Sequence, residues 1–387
     1  MKYSLLMPHE VRFGWGVRSE LPDLVAQFGQ RAFLVTGGSS LEASGHLAAI
    51  TAAFVEADMQ VEMIRSSGSE PTIAMVDEAT AHIVGCEPRE GDVVVGLGGG
   101  AVMDLAKALA AMATNAGGRS IREFLEGVGS GLELLRTPLP VIAVPTTAGT
   151  GSEATKNAVI SVNEPPCKKS LRSTHMMPRV ALIDPEFTVS CPPHITAWSG
   201  MDAITQLIES FLSQRANSFS QMLCLEGLPG SIRALRTAFV DGENRMAREF
   251  LSHAAFLSGL ALANSGLGFA HGVAAALGSI SHVPHGLACA VLLPVALRVN
   301  RDACRDQFPL LASALIPGNS SQDPYGAVEQ AIVSLLEDLR IPLQLRELGV
   351  AEADLPAIAQ GSMGNSMSGN PVPMTPSDVL NVLENCW

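Results

Sequence analysis

The stretch DVVVGLGGGAVMDLAKALA, Asp92 to Ala110, reads as a buried strand that turns on glycine directly into a helix. The apolar run from Val93 to Leu97 is short and unbroken, which suits a strand covered on both faces, as in a parallel sheet. Gly98, Gly99 and Gly100 let the backbone approach a ligand closely. The helix that follows presents free N–H donors and the positive end of its dipole, where a pyrophosphate binds well. Gly96-x-Gly98-x-x-Ala101 matches the dinucleotide fingerprint, although no acidic residue follows at the end of a next strand roughly 20 residues on. A tight strand–helix turn without a ligand fits the same residues. Asp104 and Lys107, one turn into the helix, also fit a simple side-chain pair.

The same alternation extends outward from this unit. Ala32–Thr36, Val61–Ile64, Val141–Val144 and Val180–Ile183 read as further strands, with helices over Leu41–Glu56, Ile73–Val84 and Val102–Ala113. Strand and helix in alternation predict a doubly wound α/β domain with right-handed crossovers. After Asp184-Pro185 the β-branched runs stop and helical patterns dominate. Cys191-Pro192-Pro193 reads as a linker. The expected organisation is an α/β dinucleotide-binding domain over residues 1–187 and an all-helical domain over residues 188–387.

Two more loops point to a nucleotide. Pro145 to Glu153 (PTTAGTGSE) follows the strand at Val141, so it leaves the carboxyl end of the sheet, outside which open α/β folds bind ligands. Thr146, Thr147 and Thr150 can donate to phosphates or a carboxamide; a loop that caps the next helix is the plainer alternative. Gly37, Gly38 and Ser39 follow the first strand. They offer no carboxylate to repel a 2′-phosphate, so the expectation leans to NADP over NAD.

Composition narrows the class. With 38 acidic against 25 basic residues the net charge is −13, which argues against nucleic acid or an anionic membrane as a partner. The 7 cysteines form no C-x-x-C pair, so reduced thiols in a cytoplasmic protein are expected. The N-terminus lacks the continuous apolar stretch of a signal peptide, and the apolar runs are too short to span a bilayer.

A second constellation lies in the helical half. Asp202 and Gln206 are four residues apart and share a helix face in a helix read as starting near Ser199. His271 follows Gly268-Phe269-Ala270, and His285 follows Pro284, which places the two imidazoles on successive helices. A carboxylate and two imidazoles converging between helices suit Zn²⁺ or Fe²⁺. Packed core histidines, and an aspartate paired with its own helix terminus, are the simpler readings of the same residues.

Taken in order, GGGAVMDLAKALA from Gly98, PTTAGTGSE from Pro145, IDPEFT from Ile183, TAWSGMDA from Thr196, HGVAAALGSISHVPHGLACAVLLP from His271 and Gly369-Asn370-Pro371 resemble the metal-containing (iron-type, group III) alcohol dehydrogenases over essentially the whole chain. The resemblance implies a dehydroquinate synthase-like architecture with the active site in the cleft between a nucleotide-binding and a helical domain, and usually a homodimer. It implies that Gly98, Gly99, Gly100 and Asp104 bind the pyrophosphate, that Thr146, Thr147 and Thr150 form a second cofactor loop, and that Lys168 contacts the ribose. It also implies Asp202, His271 and His285 as metal ligands, catalytic through the metal. Two positions depart from the family pattern. Gln206 stands where the second ligand is usually histidine, and Ala275 stands where many members carry another. A neutral amide oxygen is a poorer partner than imidazole for a borderline metal, so Gln206 is expected as a weak fourth ligand or as a hydrogen-bond partner of the metal-bound oxygen. Three protein ligands and an open position suit a catalytic zinc, which shifts the expectation from iron toward zinc.

The implied chemistry is hydride transfer between nicotinamide C4 and a small alcohol or aldehyde, with the metal as Lewis acid on the substrate oxygen. His282 or water is the candidate proton relay. The rival readings are a metal-free reductase resembling maleylacetate reductase, a lyase resembling dehydroquinate synthase, and a nucleotide-binding protein without catalysis.

Overall fold

The computed structural model describes residues 3–387, which divide into two compact units. The first comprises Leu6–Thr147 and Ser152–Ser190; the second comprises Cys191–Trp387, together with Ala148–Gly151 and the start of the described chain.

The first unit is built on a six-stranded parallel sheet of β1 (Glu10–Phe13), β2 (Arg31–Gly37), β3 (Gln60–Ser66), β4 (Asp92–Gly98), β5 (Val141–Pro145) and, after a hairpin, β8 (Val180–Ile183). Its order is β1-β8-β5-β4-β2-β3. The hairpin is antiparallel, β6 (Asn157–Val162) with β7 (Cys167–Arg172). Strand β4 is buried along its whole length, and successive residues serve opposite cores. Val94 joins Phe33 and Val35 against helices α2 (Ile73–Gly85) and α3 (Gly100–Asn115). Val93, Val95 and Leu97 join Leu34 and Ile142 against α1 (His46–Glu56) and the short helix Leu21–Ala26. Each fully buried Val or Leu of this strand contributes about 1.5–3 kcal/mol relative to exposure.

The five strands anticipated from sequence are all present, and three differences have plain causes. The predicted helix over Leu41–Glu56 is two helices, Ser40–Ala43 and α1, separated at Gly45, whose φ of 76° is left-handed. Strand β1 has no buried residue, and β6 alternates half-buried with buried positions, so neither carries the continuous apolar run of a central strand. The helix at the head of the second unit, α4 (Pro193–Leu212), begins at Pro193 rather than near Ser199, because proline is tolerated in a first helical turn. The Pro-rich segment read as a linker therefore opens a 20-residue helix.

The second unit is helical throughout. Helices α4, α5 (Arg245–Asn264), α6 (Phe269–Ile280) and α7 (His285–Val299) pack with small residues at their crossings. A Cβ on Gly286 would lie 2.3 Å from the carbonyl oxygen of Trp198, and one on Gly200 of α4 would lie 2.4 Å from Leu235 of a further helix, Ser231–Val240. Among the described residues no single helix is long and apolar enough to cross a membrane.

Candidate functional site

In the first unit the three loops singled out from sequence lie side by side. The chain passes from β2 outward to β3 and returns to β4 on the other side of β2, so the direction of winding reverses between β2 and β4. Open α/β sheets bind their ligands outside the carboxyl ends of the strands at such a reversal. Gly37 ends β2 and Gly98 ends β4, and both rest on Val102 of α3. A Cβ on Gly37 would come within 2.4 Å of that side chain, and one on Gly98 within 2.6 Å. Gly99 is the N-cap of α3, and no side chain caps it. Gly98 is in register with Pro145, and its carbonyl accepts from the Thr146 N–H at 3.0 Å. Thr147 faces Gly99, while Gly38 and Ser39 are exposed.

Other residues of the anticipated cofactor set make contacts within the protein. Asp104 accepts from the Ser152 hydroxyl at 2.5 Å and the Val159 N–H at 2.9 Å, and pairs with Lys107 at 3.0 Å. Lys107 is fully buried and also donates to the Ser152 carbonyl and to Thr155. This network ties α3 to the loop before the hairpin. Lys168, on β7, forms a close ion pair with Glu70. Thr150 belongs to the second unit, where its carbonyl accepts from the Gln206 amide at 3.2 Å.

The second unit gathers a set of potential metal ligands from three helices. Asp202 comes from the middle of α4, His271 from the first turn of α6 and His285 from the first residue of α7. His271 Nε2 lies 3.1 Å from Asp202 Oδ1, and His285 Nε2 lies 3.8 Å from the same oxygen. Cys289, one turn along α7, places its Sγ 3.7 Å from His285 Nε2. One donor atom from each of these four residues lies within 4.8 Å of every other. His282 is not in the group: it is exposed, in the turn between α6 and α7, with a φ of 55°.

Gln206 occupies an adjacent position with its amide nitrogen, not its oxygen, toward the group. The nitrogen donates to Thr150 O and, at 3.3 Å, to Asp202 Oδ1, while the oxygen accepts from Ser258 at 3.4 Å. Two acceptors on one side and a hydroxyl on the other favour this orientation of the amide.

Glu209, which the sequence reading did not single out, orients the group from behind. Its carboxylate bonds His271 Nδ1 at 2.7 Å and accepts from the backbone N–H groups of Gly268, Ala270 and His271. A carboxylate on the far nitrogen of a ligating imidazole fixes its tautomer and aims Nε2 inward. Glu209 follows Asp202 by seven residues, hence on the same face of α4, and that spacing was the available signal. Asn370 adds a second brace: it accepts from the Phe269 N–H at 3.0 Å and exchanges hydrogen bonds with Asn300.

Electrostatics suit a cation. Burial pushes the Asp202 carboxyl up, but the His271 hydrogen bond and the two imidazoles outweigh it and hold the carboxyl below its usual range. Asp202, His271, His285 and Cys289 present one donor atom each to the same small volume. The donors present therefore fit one divalent ion.

A family model described as "Iron-containing alcohol dehydrogenase" matches residues 8–185, and one described as "Fe-containing alcohol dehydrogenase family, C-terminal" matches residues 196–387. The chain is 32% identical to "Alcohol dehydrogenase 4" of Saccharomyces cerevisiae, covering 97% of this chain and 96% of that protein. It is 33% identical to "1,3-propanediol dehydrogenase" of Klebsiella pneumoniae, covering 95% and 94%. The crystal structure of sulfoacetaldehyde reductase from Bifidobacterium kashiwanohense in complex with NAD+ superposes with a TM-score of 0.88 at 27% identity, covering 100% of this chain and 99% of that one.

Proposed function

The chain belongs to the iron-containing alcohol dehydrogenase family, and from that premise we propose an NAD- or NADP-dependent, metal-assisted interconversion of small alcohols and aldehydes. As a member of this family it is an oxidoreductase acting on CH–OH donors. Cofactor, metal and residue roles are our reading. The observation that carries it is the convergence of Asp202, His271 and His285 within reach of one ion, braced by Glu209.

In this reading Asp202, His271 and His285 hold the cation. When bound, it would supply a Lewis acid for the substrate oxygen. Asp202 brings the one formal negative charge of this trio, and Glu209 keeps His271 presented through Nε2. The nicotinamide cofactor would exchange a hydride with the carbinol carbon. Gly98, Gly99 and the uncapped start of α3 receive its phosphates, with Thr146 and Thr147 alongside. The loop at Gly37, Gly38 and Ser39 leaves room for a 2′-phosphate, so NADP is favoured slightly, although the Bifidobacterium relative is complexed with NAD+. A cytoplasmic homodimer completes the proposal; it rests on the composition and on the family resemblance.

The test pairs metal analysis of the purified protein with NADH and NADPH oxidation against a panel of small aldehydes. Expected are about one zinc or iron per chain and aldehyde-dependent turnover that chelation abolishes and metal restores. Turnover untouched by chelation would overturn the metal-assisted reading in favour of a metal-free reductase.

A further inference from the structure

We infer that Cys289 is a fourth protein ligand of the cation, in the role that Gln206 does not fill, and that the centre therefore prefers zinc to iron. The inference rests on the metal-dependent reading above and adds to it a ligand and a selectivity.

Gln206 fails as a ligand on its own geometry. Its amide nitrogen is fixed by two carbonyl-type acceptors, Thr150 O and Asp202 Oδ1, and its oxygen is turned to Ser258. Reversing the amide to offer oxygen would set it against both acceptors and forfeit both bonds. Gln206 thus positions Asp202.

Cys289 has the opposite geometry. It is fully buried, one helical turn beyond His285, and its sulfur is in the same tight group as the other donors. Metal–nitrogen and metal–oxygen bonds near 2.0–2.1 Å, with a metal–sulfur bond near 2.3 Å, set tetrahedral ligand atoms about 3.3–3.6 Å apart. The separations here are 3.1 Å from His271 to Asp202, 3.8 Å from His285 to Asp202 and 3.7 Å from Cys289 to His285. They already bracket the edges of such a polyhedron. A thiolate is a soft donor that suits zinc, and zinc generally binds N/O/S sites more tightly than iron(II). Together with Asp202 it would balance both charges of the ion. Substrate access then requires expansion to five ligands, which zinc tolerates.

Cobalt(II) exchanged into the wild-type protein provides the test. A cysteine ligand gives a thiolate-to-cobalt charge-transfer absorption in the near ultraviolet, which histidine and aspartate do not. The band is expected in the wild-type protein and in Cys304→Ala and Gln206→Ala variants, and absent from Cys289→Ser. Cys289→Ser should also weaken zinc binding by more than the roughly 10- to 100-fold that loss of an outer-shell partner costs. One cobalt per chain without the band, or a band that survives in Cys289→Ser, overturns the inference while leaving the metal-dependent dehydrogenase standing. A wild-type protein that takes up no cobalt overturns both. If Cys289→Ser does not fold, a band at one cobalt per chain that persists in Cys86→Ala still supports the inference, because it excludes the other cysteine-bearing donor group, Glu62, His82 and Cys86; loss of the band in Cys86→Ala overturns it.

Discussion

Glu209 joins two tasks in one side chain: its carboxylate satisfies the free N–H groups at the start of α6 and fixes the imidazole of His271. Glu209→Gln keeps the shape but loses the charge. Zinc affinity, measured by chelator competition, should fall about 10- to 100-fold, as for other outer-shell partners. If Asp202 holds the ion as proposed, Asp202→Asn removes the charge that faces it, and should cost more than Glu209→Gln in both metal content and turnover. At this scale the sequence was partly legible. Asp202, His271 and His285 stood out because carboxylate and imidazole are recognisable donors. Glu209 and Cys289 did not, since an acidic residue on a helix and an apolar-flanked cysteine have common structural explanations. Their roles depend on how α4, α6 and α7 cross, and local spacing does not encode that crossing. Gln206 was visible as a departure from the family, but the direction of its amide is set by Thr150 and Ser258, both far away in the chain.

Among elements, the strand–glycine–helix unit of β4 and α3 was legible because burial on both faces writes an unbroken apolar run. The edge strand β1 and the hairpin strand β6 were not, because β1 buries no residue and β6 buries one side only, so neither writes a continuous apolar run. The glycines also have a packing role that a ligand-binding motif does not reveal. Gly37 and Gly98 close on Val102 from neighbouring strands. A Gly37→Ala change should cost about 1–3 kcal/mol through overpacking, and a second change, Val102→Ala, should recover part of it. Thermal unfolding of the two single variants and the double variant would show this as non-additivity. Leu97→Ala, at a residue fully shielded inside the sheet, should cost about 2–5 kcal/mol in the same assay.

For the molecule as a whole, one buried carboxyl makes stability depend on pH near neutrality. Burial pushes Glu153 up from 4.5 to about 7, against the opposing effects of a backbone hydrogen bond and Lys107. The folded protein therefore holds this proton more tightly than an unfolded chain does. The resulting stabilisation is complete below the unfolded value of 4.5 and is lost as pH rises through about 7. Glu153→Gln should flatten that slope: its melting temperature relative to wild type should climb between about pH 5 and about pH 8. A constant difference across this range would contradict the assignment.

Ala148–Gly151 counts with the helical unit although α/β residues precede and follow it in the chain. Gly151 lies so close to Gly259 of α5 that a Cβ on Gly259 would stand 2.2 Å from the Gly151 carbonyl oxygen. No single cut, then, frees either half intact. A polypeptide starting at residue 191 would be missing a strip of its own wall, and one ending at residue 190 would carry that strip with nothing to lie on. Grafting the helical half onto another α/β scaffold would demand two splices, with this tetrapeptide transplanted alongside.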